Sequence, residues 1–375
     1  MPRRGSWVRI PSSAPFAFLG NLGVPLMLGW KLLAIPGVVL FAGLLYFTYD
    51  TFLETSSSEE QAADGPTTTS SATPVRTRSP TPGSTAPLTP SPAPTAGDAV
   101  LVGAGDISSC TQTNDYRTAH LLDSVIASAN GEVIVFTAGD NAYEYGTLEE
   151  YQQCYDPTWG RHKARTRPAA GNHEYSTGNA EGYFSYFGVA AGDPGQGYYS
   201  YELGAWHIIV PNTSNHCQLL LCDGGSPQVS WLRADLEAHP NFCTLAIWHD
   251  PLFSSGRVHG SSQYVQPFWD ALYASGADVV VNGHEHNYER LAPQTPLGAL
   301  DPEHGIREFI VGTGGESHYR AGPFLSNSEI GDGNSFGVLK LTLHPASYSW
   351  EFIPDEFGEF QDEGSGNCHD SPLGS

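Results

Sequence analysis

The chain has 375 residues, with 17 Lys plus Arg against 40 Asp plus Glu and a formal net charge of −23. Its length accommodates one large domain or two modest ones. Its charge argues against a nucleic-acid binder, because phosphate contacts need clustered Lys and Arg.

The excess is unevenly placed. Residues 1–98 carry six basic and six acidic residues and no histidine, whereas residues 99–375 carry thirty-four acidic residues and all fourteen histidines. Histidine is the commonest metal ligand and a proton carrier near neutral pH, so chemistry is expected in the second part only.

Residues 1–23 read as a cytoplasmic or non-native extension, and residues 24–50 as a transmembrane anchor or signal segment. Leu32 to Tyr49 holds no charge. Extended back to Val24, the apolar stretch reaches the ~20 residues that cross a bilayer core, broken only by Lys31. Arg3, Arg4, Arg9 and Lys31 precede it, and Asp50 and Glu54 follow it, a bias that leaves the bulk of the chain outside. TYDTFLETSSS offers no A-x-A cleavage pattern, which favours a retained anchor over a cleaved signal peptide. The expected location is the cell membrane, single-pass with the following domain extracellular; a secreted protein is the alternative. Met27 is the only methionine besides Met1 and would open a more conventional export segment; N-terminal sequencing that found residues upstream of it would exclude it as the start. Residues 51–98, rich in Ser, Thr and Pro, cannot bury enough apolar surface to offset ordering entropy and read as a disordered stalk.

Residues 99–375 form the candidate catalytic domain, a size suited to one core. Short β-branched runs at 99–105, 132–139, 206–210, 243–248, 278–283 and 307–315, bounded by Gly or Asn, predict buried strands. Segments 118–129 and 226–239 predict helices, the second with Ser226 as N-cap and Pro227 in its first turn. Alternation of the two predicts an α/β fold. All six cysteines, Cys110, Cys154, Cys217, Cys222, Cys243 and Cys368, lie in this domain. An even count in an exported domain suggests disulfides; Cys217 with Cys222 and Cys110 with Cys154 are plausible pairs, and the connectivity stays open.

The strand ends carry the chemistry. They run into Gly105-Asp106, Gly139-Asp140-Asn141-Ala142-Tyr143, Trp248-His249-Asp250 and Gly283-His284-Glu285-His286, with Gly171-Asn172-His173-Glu174 after RPAA. Ligands of open α/β sheets bind beyond the carboxyl ends of the strands, and the glycines are expected to let the backbone turn sharply there. Asp106, Asp140, Tyr143, Asn172, His249, His284 and His286 make a mixed oxygen and imidazole set that suits Fe, Zn or Mn. Seven donors, one a bridging carboxylate, match two metals.

Through GD, GDNAY, GNHE, the strand ending in His249, and GHEHNYER, residues 99–355 resemble the calcineurin-like metallophosphoesterase superfamily, and more specifically the purple acid phosphatases. The resemblance implies a metallophosphoesterase-type sandwich of two mixed β-sheets flanked by helices. Ser108 replaces the histidine of the superfamily's Asp-x-His, while Tyr143 stands where purple acid phosphatases place an iron-bound tyrosinate. Carried over, Asp106, Asp140, Tyr143 and His286 would hold Fe(III), and Asp140, Asn172, His249 and His284 a divalent Fe, Zn or Mn, with Asp140 bridging. A hydroxide on the metals would attack phosphorus. His173 and His259 would contact the substrate, and Tyr288, Glu289 and Arg290 would help orient His286. Arg161, Lys163, Arg165 and Arg167 read as a solvated turn or as one wall of the site's mouth. The implied function is hydrolysis of small phosphate monoesters; the alternatives are a phosphodiesterase or nucleotidase of the same superfamily, and a non-enzymatic surface protein. The implied partners are small phosphorylated substrates and, through the N-terminal segment, a membrane.

Overall fold

Valine, leucine and isoleucine recur without polar interruption in the runs that open the domain, and such runs are stable only when both faces of the strand are covered. The computed structural model describes residues 97–240 and 243–369. Of the extension, anchor and stalk expected over residues 1–98, residues 1–96 lie outside the described residues, among which no helix is long and apolar enough to cross a membrane.

The strands in chain order are β1 (Ala99–Ala104), β2 (Ser108–Ser109), β3 (Val133–Ala138), β4 (Ala142–Tyr143), β5 (Thr166–Ala169), β6 (Tyr199–Leu203), β7 (Trp206–Val210) and β8 (Cys243–Ile247). They continue with β9 (Val279–Asn282), β10 (Tyr288–Leu291), β11 (Arg307–Val311), β12 (Ser328–Asp332), β13 (Gly337–His344), β14 (Ser347–Pro354) and β15 (Asp362–Asn367). One mixed sheet has the order β15-β14-β13-β1-β3-β5 and a second has β12-β10-β11-β9-β8-β7-β6. β1, β3 and β5 run parallel, as do β7, β8, β9 and β11, while β13 is antiparallel to β1.

The main core joins the two sheets through Leu101, Val135, Ile208, Leu245, Val281 and Phe309. A second core lies where helices Pro227–Ala238 and Gln266–Ala274 cover the second sheet with Leu232, Phe268 and Trp269. The result is an α/β fold of two mixed sheets with helices. Ser226 caps its helix by accepting from Val229 N, with Pro227 at the first position. The first long helix begins earlier than the apolar pattern implied, at Asn114 rather than 118, because Arg117 turns out to pair with Asp355 and the first turn packs on Gly315.

Three disulfides close the domain: Cys110–Cys154, Cys217–Cys222 and Cys243–Cys368. The third joins β8 to the chain end across 125 residues, a pairing that local spacing could not reveal.

Candidate metal centre

The C-terminal ends of β1, β3, β5, β8 and β9 meet at one edge of the two sheets. The backbone there differs from expectation: among the glycines before the ligands only Gly139 has a left-handed φ, +85°, and the ligand residues Asp106, Asp140 and His284 themselves take φ of 59°, 49° and 73°. Non-glycine residues rarely sit there, and such strain is characteristic of sites that must aim a side chain. The glycines serve close approach instead. A Cβ on Gly283 would lie 2.8 Å from Asp106 Oδ2, and one on Gly139 would lie 2.5 Å from the His249 ring.

All seven candidate ligands come together, in two overlapping sets. Tyr143 Oη donates to Asp106 Oδ1 at 2.8 Å, and lies 3.1 Å from Asp140 Oδ2 and 3.2 Å from His286 Nε2. On the other side, His249 Nε2 lies 3.1 Å from Asp140 Oδ2, from Asn172 Oδ1 and from His284 Nδ1. Asp140 Oδ2 therefore belongs to both sets.

The surroundings fix which ring nitrogen faces inward. His249 Nδ1 donates to the Ala138 carbonyl at 2.8 Å, leaving Nε2 a lone pair. His286 Nδ1 donates to Ser317 Oγ at 2.7 Å and faces Glu316 at 3.1 Å. Carboxylate, amide and imidazole acceptors thus face one another in a buried space, an arrangement that requires a cation or protons between them. Asp140, His249 and His284 each offer a ligand atom within 4.8 Å of the other two. The donor set fits two metal ions.

The electrostatics say the same. Burial opposes a charge on His286, yet Asp106 and Glu316 outweigh it and push the imidazole up to about 9. Burial likewise opposes charge on His249, and Asp140 and Asp106 raise it well above the usual range. The field that draws a proton to these rings draws a metal cation equally. His284 is held neutral, down to about 3, by burial and by its histidine neighbours against Asp250, so its lone pair is free. Burial and the two carboxylates raise the Tyr143 phenol well above 10; only a cation on its oxygen displaces that proton near neutral pH.

His173 and His259 flank the cluster. The His173 ring lies 4.2 Å from that of Tyr143, with Nε2 3.9 Å from Asp140 Oδ2 and Nδ1 donating to the Glu144 carbonyl at 2.7 Å. His259 stacks on His284 at 4.0 Å. Ser108 turns away and donates to Asp115 at 2.7 Å.

Two expectations are corrected. His286 is oriented by Ser317 and Glu316, whereas Tyr288 donates to Asp362, Arg290 pairs with Asp362 and Glu329, and Glu289 accepts from Ser255. The basic cluster does not wall the site, because it lies before β5 and in its N-terminal half while the ligands lie beyond the C-terminal ends. Arg161 pairs with Asp123, Arg165 donates to the Val133 carbonyl, and Lys163 and Arg167 lie over Tyr186 and Tyr201.

Sequence reasoning missed the carboxylates that brace the loops. Glu174, fully buried, accepts from the backbone N–H of Asp140, Asn141 and Gly171 and from Tyr151 Oη. Glu285 accepts from the N–H of His259 and Gly260 at 2.5 and 2.6 Å, holding the loop that carries His259. Both were visible as the acidic member of GNHE and of GHEH.

Residues 102–288 match the calcineurin-like phosphoesterase family. Purple acid phosphatase 15 of Arabidopsis thaliana is 30% identical over 185 residues, covering 44% of this chain and 33% of that protein. Purple acid phosphatase 18 of the same plant is 32% identical over 123 residues, 32% of this chain and 26% of that protein. The matches therefore span about a third of these relatives' length. Among solved structures, the purple acid phosphatase PPD1 from yellow lupin (Lupinus luteus) seeds superposes with a TM-score of 0.58 at 20% identity, covering 73% of this chain and 54% of that one. GAP50, the anchor in the inner membrane complex of Plasmodium, gives 0.58 at 14% identity, covering 74% and 90%; these two likenesses are of fold. With its ligand-bearing strand ends and the matched residues taken together, the chain belongs to the calcineurin-like phosphoesterase family and, over the matched part, is similar to plant purple acid phosphatases.

Proposed function

We propose that the domain hydrolyses phosphate monoesters at a dinuclear centre, with Fe(III) held by Asp106, Asp140, Tyr143 and His286 and a divalent Fe, Zn or Mn held by Asp140, Asn172, His249 and His284. The observation that carries this reading is the convergence of Tyr143 Oη with Asp106, Asp140 and His286 within 3.2 Å. Phenolate and carboxylates are hard anions that suit a trivalent ion, and neutral imidazoles with an amide suit a divalent one. When bound, the metal pair supplies an activated nucleophile and offsets the charge growing on the phosphoryl oxygens.

The chain's own residues do the rest. Asp140 shares its Oδ2 between the two sets and fixes their spacing. His173, raised because Asp140 and the Glu144 carbonyl outweigh its burial, is suited to give a proton to the leaving oxygen. A monoester carries a second negative oxygen that a diester lacks, and His173 on the Tyr143 side and His259 on the His284 side are available to meet it. A neighbour of the same fold is an anchor; the complete ligand set argues for an enzyme here. The three disulfides fit an oxidising compartment, which supports export of the domain, and the apolar stretch over residues 24–50 supports a tether to a membrane. The acidic excess of the chain disfavours nucleic acids as substrates.

The test is turnover of p-nitrophenyl phosphate and its bis-ester by protein carrying two metals per chain. The monoester should be hydrolysed at least about tenfold faster, and Asp140→Asn should reduce the rate on the order of 10³-fold. A metal-replete protein that hydrolyses neither ester, or whose rate is indifferent to Asp140→Asn, contradicts the reading.

A further inference from the structure

The residue after His249 is Asp250, 1% exposed and the meeting point of four side chains. Its carboxylate accepts from the Thr213 hydroxyl, from Tyr264 Oη at 2.5 Å and from His216 Nδ1 at 2.8 Å. Its Oδ1 also lies 3.7 Å from His284 Nε2. His284 thus turns Nδ1 toward His249 and the bridging carboxylate and Nε2 toward Asp250. A carboxylate behind a metal-binding imidazole fixes the ring's orientation and tautomer.

His216 hangs on the same carboxylate. Its Nδ1 is engaged by Asp250 and Tyr264, its side chain is 34% exposed, and its ring lies 5.3 Å from that of His284. The backbone that presents it is unusual: Ser214, Asn215, His216 and Cys217 have φ of 22°, 23°, 58° and 59°. Four consecutive residues other than glycine stay in the left-handed region only when the surroundings over-determine them. Here the Cys217–Cys222 disulfide closes the loop, Asn212 Oδ1 accepts from Ser214 N at 2.9 Å, and Ser214 Oγ accepts from Leu220 N at 2.8 Å.

We propose that Asp250 positions His284 and that His216, aimed by the same carboxylate on a disulfide-closed loop, is a third imidazole contact for the phosphoryl group, beside His173 and His259. The inference rests on the reading of the cluster as a dinuclear phosphate-ester site. It makes the acidic residue of Trp248-His249-Asp250 a link between a metal ligand and a substrate-facing loop.

The experiment is calorimetric titration of inorganic phosphate into the full chain carrying both metals, with metal content measured on each sample. His216→Ala and His216→Gln should keep both metals and weaken phosphate binding about tenfold, the loss of one hydrogen bond to a charged group. Asp250→Asn should weaken retention of the divalent metal about 10–100-fold while the ferric ion stays, a split that general unfolding would not produce. In turnover, the His216 variants should raise KM more than they lower kcat. Phosphate affinity within twofold of wild type in both His216 variants overturns the contact, and unchanged divalent retention in Asp250→Asn overturns the positioning role. A wild-type protein that binds phosphate but turns over no ester, with His216→Gln still weakened, refutes the proposed hydrolysis and leaves this inference standing; a metal-loaded wild type that binds no phosphate refutes the inference.

Discussion

Tyr143 is the residue on which the identity of the metals turns. Its oxygen touches three other candidate ligands, and burial beside two carboxylates keeps its proton in place until a cation removes it. Its candidacy was legible from its place three residues after Asp140, and that of the other six from the short segments that follow strand ends. Glu174 was not legible in the same way. A buried carboxylate that accepts four hydrogen bonds looks, in sequence, like any acidic residue, and only the fold brings the loops of Asp140 and Gly171 to it. In Glu174→Gln the amide NH2 group would face at least one N–H donor, leaving buried donors unpaired. The expected outcome is metal affinity reduced about 10–100-fold and a lower melting temperature, read by metal titration and calorimetry; unchanged affinity would show that the two loops hold themselves.

At the scale of elements, the parallel strands announced themselves by β-branched runs and the helix Pro227–Ala238 by its cap. β13 and β14 alternate buried and partly buried residues but stand outside the motif-bearing region, and the two-sheet pairing depends on contacts far apart in the chain. The Cys243–Cys368 disulfide is of that kind. In the loop-entropy account, closing 125 residues stabilises by about 5 kcal/mol and closing the five-residue Cys217–Cys222 loop by about 2 kcal/mol. Paired Cys→Ala replacement at 243 and 368 should therefore destabilise about twice as much as at 217 and 222, measured by urea unfolding. Equal losses would mean that native contacts rather than chain entropy set both values.

At the scale of the domain, most acidic side chains of the described residues are at least partly exposed, and pH acts on stability through the buried ones. Burial pushes Asp278 up to about 7, whereas an unfolded Asp ionises near about 4. Between those values the folded state holds a proton that the unfolded state has lost, so stability falls as pH rises across that window. Glu308, raised by burial and by Glu289, acts in the same direction. So does His207, whose pairing with Asp235 and Glu202 outweighs its burial; its contribution is complete below the unfolded value of about 6.5 and fades as pH passes the folded one. His284, held down to about 3, pulls the other way as pH rises toward about 6.5, so the Asp278 contribution is read by difference: between pH 5 and pH 7.5 Asp278→Asn should lose less stability than wild type. A slope unaltered by that substitution would remove Asp278 from the account.

The proposed tyrosinate at a ferric site is tested most directly by visible absorption of the iron-containing protein. Wild type should show a tyrosinate-to-iron charge-transfer band, and Tyr143→Phe should lose that band while retaining iron. Iron-replete wild type without such a band, or a Tyr143→Phe protein that keeps it, would contradict the assignment.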